Sequence, residues 1–233
     1  MSDTLYLTRA SRSLGVSARA LIQLIAPNTN DERTCVSHKL MWTLFGDHEA
    51  RTRDFLWRED ADGTFYILSA REPVDAHNLF DVDAPKPFAP SLKRGDNLHF
   101  SLRANPTVTR AIKDPKRPDQ VIKKHHDVIM EALHVIPKGD DRAKARRDIE
   151  QHASRHWLDK QGQRTGFFVQ SMDCLGYETV KLPHRGKPIE LGVVDLSGVI
   201  EVTDPALFLP ALRQGFGRAK AYGFGLMLIR RAP

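Results

Sequence analysis

Beyond Asp204 the chain has no acidic residue, while Arg213, Arg218, Lys220, Arg230 and Arg231 all lie there. A stretch without counter-charge is not a self-neutralised surface and points to an anionic partner. Cysteine is scarce as well: Cys35 and Cys174 are the only two, with neither CxxC nor any metal-ligand spacing. That excludes a disulfide framework or zinc ribbon and suits a reducing compartment, so a cytoplasmic location is expected. No apolar run approaches the ~18 residues of a membrane span, and the start, with Asp3 and Thr4, lacks the basic opening of a signal peptide. Neither membrane contact nor export is expected. HExxH and GxxxxGK(S/T) are absent too, which removes the commonest zinc-helix and P-loop readings.

What the chain does have is a globular composition and a moderate positive balance. Hydrophobic residues fill 41% of 233 positions, and 35 Lys plus Arg against 29 Asp plus Glu give a net charge of +6. The length suits one large domain or two small ones, at ~100–200 residues each.

Its most distinctive stretch is Gly215–Gly225 (GFGRAKAYGFG), which runs into apolar Leu226–Ile229. Glycines at 215, 217, 223 and 225 let backbone approach a bulky group, and Arg218 and Lys220 add charge, so a phosphate is the expected partner. Lys220 stands where GxGxxG needs its third glycine, a strand rather than a helix follows, and no downstream carboxylate awaits a ribose. A clamp on a polymer backbone is therefore favoured over a nucleotide cradle. Gly215 also has an ordinary reading, as the left-handed cap of a helix begun by Asp204–Pro205, with Pro210 inside it.

Along the chain, Leu5–Arg9 (LYLTR) alternates as a first strand and leads into a Ser- and Arg-rich, partly helical stretch. Apolar residues at 36, 40, 41, 44 and 45 predict a helix with His38 and Lys39 off its apolar face, ended by Gly46–Asp47. Arg53–Arg58 and Thr64–Ser69 flank Asp60–Gly63 as a hairpin. Pro85–Pro90 reads as an extended crossing, and Leu98–Ala104 as a strand broken at Asn105–Pro106. Arg110–Lys124, with six basic residues, two Asp and two prolines, reads as a solvated, mobile loop. Asp140–Lys160 predicts a long helix with Ala145, Ile149, Ala153 and Trp157 on one stripe; His152 and His156 on it are read as solvated or partly buried, not as a metal site. Tyr177–Leu182 and Ile189–Val202 form a hairpin around a basic tip, before the last helix and strand. The order, roughly strand, helix, two strands, short helix, strand and then a second such set, predicts an α+β fold of tandem ferredoxin-like (RRM-like) domains. Their bounds are 1–92 and 93–233, with antiparallel sheets and helices on one face.

The glycine loop, Leu102–Pro106 (LRANP), Arg53–Arg58 (RDFLWR) and His38 ahead of Trp42–Phe45 (WTLF) together resemble the CasE (Cse3) family. These are the CRISPR repeat-RNA endoribonucleases of type I-E systems, within the repeat-associated mysterious protein superfamily. The resemblance covers most of the chain in the same order. It implies a protein that binds a repeat hairpin, cuts at the base of its stem without metal or cofactor, and stays with the mature guide among the other Cascade subunits. The ends left would be a 5′-hydroxyl and a 2′,3′-cyclic phosphate. The family histidine maps onto His38 and the loop lysine onto Lys220; a tyrosine found in some members three residues before the histidine is Cys35 here.

Such cleavage needs the 2′-oxygen to attack its own phosphate, a proton to reach the departing 5′-oxygen, and positive charge at the phosphorane. Histidine, with an ordinary pKa of ~6.5, suits the proton step and typically supplies ~10²–10⁴ in rate. His38 is expected to act as general acid or base, and Lys39 to stabilise charge, although adjacent helical residues diverge by about 100°. The expected RNA contacts are Arg103, the hairpin tip (Lys181, His184, Arg185, with Lys187), and Gly215, Gly217, Arg218, Lys220, Gly223 and Gly225 of the loop. Because A-form stems hide their base edges, recognition should rest on shape and phosphates. The alternative is a non-catalytic RNA-binding or scaffold subunit of the same fold. A nucleotide-dependent transferase, the third reading, lacks its loop helix and carboxylates.

Overall fold

The computed structural model describes residues 4–15, 30–46, 48, 52–114, 117–182 and 188–232. The Ser- and Arg-rich stretch over 16–29, Asp47, and the hairpin tip with His184, Arg185 and Lys187 lie outside the described residues. The first unit comprises β1 (Tyr6–Arg12), α1 (Asn30–Thr43), β2 (Phe55–Glu59), β3 (Phe65–Ser69), β4 (Phe80–Val82) and β5 (Lys86–Pro87). Its sheet runs β2-β3-β1-β4, with β5 also on β1 and every pair antiparallel. No helix lies between β3 and β4 among the described residues, contrary to the expected short helix there. Instead the Asp75 carboxylate organises that segment by accepting from the N–H groups of Leu79 (3.1 Å) and Phe80 (2.8 Å).

The second unit repeats the plan. It comprises β6 (Asn97–Ala104), β7 (Thr107–Asp114), β8 (Arg117–Asp127), α2 (Val128–His134), α3 (Asp140–Thr165), β9 (Phe167–Leu182), β10 (Ile189–Val202), α4 (Pro205–Gln214), a 3-10 turn (Lys220–Tyr222) and β11 (Met227–Arg231). The sheet order β11-β6-β10-β9 has the same connectivity as β4-β1-β3-β2 in the first unit, which is the ferredoxin-like arrangement twice over.

Each sheet is antiparallel with helices over one face, and the alternation in β6 shows why. Leu98, Phe100, Leu102 and Ala104 are buried with Trp157, Leu158, Phe208 and Leu212, while the residues between them are not. In the first unit Leu40, Met41, Leu44 and Phe45, at or just past the end of α1, bury against Ala10, Phe55, Trp57, Phe65 and Ile67. The units meet through Leu56 and Leu68 on one side and Leu226 on the other, all buried. Each such side chain contributes roughly 1.5–3 kcal/mol.

Arg110–Lys124 is not a loop but most of a two-stranded ribbon. Ile112 lies opposite Ile122, one β-branched pair within a surface whose charge count hides the strand pattern. At the end of α4, Gly215 takes φ 73° with ψ 165°, positive but extended rather than left-handed helical. No helix among the described residues is long and apolar enough to cross a membrane.

Candidate active site and nucleic-acid interface

Helix α1 is fixed by its inward side. Ser37, fully buried, donates to Glu59 Oε2 at 2.6 Å, and the same carboxylate receives Arg33 and Arg12. At the helix end Phe45 stacks on Phe55 with ring centroids 4.2 Å apart. These anchors leave His38, one position beyond Ser37, half-buried at the edge between the two units.

Across that edge stands the glycine loop. His38 Nδ1 lies 2.7 Å from the Ala221 carbonyl oxygen, 183 positions away in the chain, and its ring sits 5.0 Å from that of Tyr222 at a 39° tilt. Trp57 Nε1–H donates to the same Ala221 oxygen at 3.1 Å. A ring nitrogen facing a carbonyl must carry hydrogen, so Nδ1 is the donor and Nε2 is left to exchange a proton. The motifs RDFLWR, His38 and GFGRAKAYGFG thus converge on one atom.

LRANP joins them from the other side. Arg218 N–H donates to Asn105 O at 3.2 Å and Gly225 N–H to Arg103 O at 2.7 Å, while buried Asn105 donates from Nδ2 to Gly192 O at 2.6 Å. The loop glycines have φ of 73° (Gly215), 79° (Gly217), 86° (Gly223) and 96° (Gly225), and Ala219 itself takes φ 54°. A Cβ on Gly223 would lie 2.8 Å from the Trp57 ring, and one on Gly225 2.5 Å from Phe216 O. The expectation that these glycines open the loop to a phosphate is corrected: their missing Cβ atoms make room for Leu56, Asn105, Trp57 and the loop's own backbone.

The expected cations divide. Lys220 is half-buried with no ion-pair partner among the described residues; burial, then the nearby Arg53, lowers its pKa. Arg53, also lowered by burial, donates to Phe55 O at 3.0 Å. Arg218 and Lys39 are exposed. Lys181, exposed on β9, lies 3.8 Å from Glu190. Arg103, expected at the RNA, has its guanidinium held by Glu178 and Asp195 and lies 5.9 Å from the Phe224 ring, so it is tied into the fold through two carboxylates. Cys35, at the position of the family tyrosine, packs among Val180, Leu182, Val193 and Phe224.

A second cationic surface continues from Arg218. A groove of about 680 Å³ between the β7–β8 ribbon and helices α2 and α3 is lined by Lys160, Arg164, Arg218, His125, His156 and the Arg110–Glu131 ion pair. His156, Lys160 and Arg164 are spaced four apart and share one face of α3. His156 therefore belongs to a basic stripe, and His152, exposed, lies with Nδ1 2.7 Å from the Asp148 carbonyl of its own helix.

Residues 5–231 match the family described as CRISPR associated protein. The chain belongs to the CRISPR-associated protein family. It is 31% identical over 192 residues to the CRISPR-associated endoribonuclease Cse3 of Thermus thermophilus, covering 78% of this chain and 81% of that protein. With the CRISPR system Cascade subunit CasE of Escherichia coli (strain K12) it shares 27% over 195 residues, covering 82% and 88%. A solved structure of CRISPR endoribonuclease Cse3 bound to 19 nt RNA shares its fold with a TM-score of 0.63 and 25% identity, over 97% of this chain and 99% of that one.

In this CRISPR-associated protein, sequence reasoning missed Trp57, Glu59, Tyr222, Arg53 and the α3 stripe as parts of the site. Trp57 and Arg53 stand in RDFLWR and Tyr222 in the glycine loop, so motif membership pointed to them. Nothing local marks Glu59, whose partners come from β1 and α1.

Proposed function

We propose that this chain is a metal-independent endoribonuclease that cleaves CRISPR precursor RNA within the repeat, at the base of its stem-loop, and stays bound to the product as a Cascade subunit in the cytoplasm. Two ferredoxin-like domains, divided near residue 92, carry the site between them. The names of the two relatives, endoribonuclease and Cascade subunit, support the activity and the assembly. The observation that carries the chemistry is the 2.7 Å approach of His38 Nδ1 to the Ala221 carbonyl oxygen, which assigns the hydrogen to Nδ1 and leaves Nε2 for proton transfer.

In this mechanism the 2′-oxygen attacks the adjacent phosphorus while the bond to the 5′-oxygen breaks. One proton leaves the 2′-hydroxyl and one reaches the 5′-oxygen, giving a 2′,3′-cyclic phosphate and a 5′-hydroxyl. His38 Nε2 handles one of these protons, as base when neutral or as acid when protonated. Lys39 stabilises charge developing at the phosphorane, Lys220 and Arg218 bind phosphates, and Lys181, His184 and Arg185 add charge around the stem. The glycines at 215, 217, 223 and 225 serve RNA binding by shaping the loop that presents these cations, and Arg103 by bracing it. The groove beside α3 receives further backbone, recognised by shape.

The test is incubation with hairpin repeat RNA in excess EDTA. Cleavage by the wild type, and its loss with retained binding in His38→Ala, is the expected result. Binding without cleavage by the wild type would make the chain a scaffold subunit, and a His38→Ala variant cutting at wild-type rate would remove His38 from the chemistry.

A further inference from the structure

We propose that Trp57 is a positioning residue for RNA cleavage, acting on His38 through the Ala221 carbonyl. This rests on His38 as the proton-transfer group. A carbonyl oxygen has two lone pairs, and here two side-chain N–H groups occupy them: His38 Nδ1 at 2.7 Å and Trp57 Nε1 at 3.1 Å. The 3-10 turn does not use this oxygen for itself. Its own bonds run from Tyr222 N–H to Ala219 O and from Gly223 N–H to Lys220 O. The oxygen's direction is therefore set from outside the turn, and of its two donors only one is rigid.

Trp57 is that donor. It is 2% exposed, its ring lies 6.1 Å from that of Phe65, and Gly223 presses against its six-membered ring where a Cβ would come within 2.8 Å. His38 is only half-buried. Imidazole in water favours hydrogen on Nε2, the tautomer that would turn the reactive nitrogen into a donor when neutral. A carbonyl fixed opposite Nδ1 reverses that preference, and the indole N–H keeps the carbonyl fixed. Strand β2 thereby governs both parts of the site: Trp57 aims the oxygen that orients the ring, and Glu59, on the same face two residues on, grips Ser37 beside His38. Tyr222 completes the arrangement by flanking the ring at 5.0 Å.

The test removes one N–H and little else. Trp57 is replaced site-specifically by β-(3-benzothienyl)alanine, which keeps the shape of the bicycle and puts sulfur in place of N–H. Trp57→Phe serves as a genetically simple second variant, with folding checked by circular dichroism. Three quantities are measured: the His38 tautomer by ¹⁵N NMR of the free protein, affinity for a hairpin with a 2′-deoxy block at the cut site, and the single-turnover cleavage rate at saturating RNA. In the wild type, neutral His38 carries its hydrogen on Nδ1. In the benzothienyl variant the population moves toward Nε2–H, and the cleavage rate falls roughly five- to tenfold, about the worth of one hydrogen bond. Affinity stays unchanged, which a general loss of structure would not allow. Wild-type His38 with hydrogen on Nε2, or a benzothienyl variant with unaltered tautomer or rate, would overturn the proposal. If His38→Ala is inactive in the same assay, such a result removes only the role of Trp57; if His38→Ala cleaves normally, the underlying assignment of His38 fails instead.

Discussion

Gly223→Ala is expected to destabilise the protein by about 2–5 kcal/mol and to lower cleavage, and the two costs can be separated. The first comes from backbone: Gly223 has φ +86°, where an L-residue costs about 1–2 kcal/mol. The second comes from space, because the new Cβ would meet Trp57 at 2.8 Å on both Cη2 and Cζ3, an overpacking worth about 1–3 kcal/mol. Gly63, in the β2–β3 turn, isolates the first cost: it has φ +84°, and a Cβ placed there would have nothing within 4 Å. Any entropy lost from the unfolded chain on Gly→Ala is common to both variants and cancels in the comparison. Urea unfolding with linear extrapolation should give Gly63→Ala a loss of about 1–2 kcal/mol and Gly223→Ala a clearly larger one. Gly63→Ala should cleave hairpin RNA at the wild-type rate, whereas pressure on Trp57 in Gly223→Ala shifts the Ala221 carbonyl and slows cleavage. Equal losses in the two variants, with normal cleavage by both, would refute the reading that the glycine is needed to seat Trp57.

Lys220→Met should stabilise the free protein while weakening RNA binding. Burial lowers the lysine's folded pKa, so the charge costs stability at neutral pH; that cost, and the variant's gain, fade as pH rises toward the ordinary lysine value of ~10.4. Affinity for hairpin RNA should fall, and the log–log salt slope should shrink by about 0.7–0.9 for the lost phosphate contact; lower stability with an unchanged slope would contradict this. Arg103→Gln should do the reverse. It leaves Glu178 and Asp195 without their shared guanidinium, only Arg58 still acting on Asp195, for a loss of about 1–3 kcal/mol after solvent screening, and leaves the salt slope as it was. A reduced slope at unchanged stability would restore Arg103 as a phosphate contact.

Elements whose patterns are local were legible in the chain. The alternation of Leu98–Ala104, the apolar stripe that ends in Leu44 and Phe45, and the Asp204–Pro205 start of α4 all appear in the structure. The β7–β8 ribbon was not legible, because its one β-branched pair, Ile112 opposite Ile122, is flanked by enough charge to read as a solvated loop. His38 stood out through its company of motifs, but its tautomer did not, since the atom that sets it comes from the far end of the chain.

Arg103 and Lys220 show the same division for charge. Both are basic residues in motifs, and sequence assigns them one role. In the fold Arg103 meets two carboxylates from β9 and β10, while Lys220 meets burial and another cation.

The sequence by itself determined the α+β class, the basic character of the last segment, and the presence of a histidine suited to proton transfer among the motifs, because periodicity, net charge and intrinsic acidity are properties of residues and their near neighbours. Only the tertiary structure decided that the glycines face inward, and that the Ala221 carbonyl meets both His38 and Trp57. Those outcomes depend on which atoms occupy the space of an absent Cβ and which donors reach one carbonyl, and both are settled by packing between strands and loops far apart in the chain.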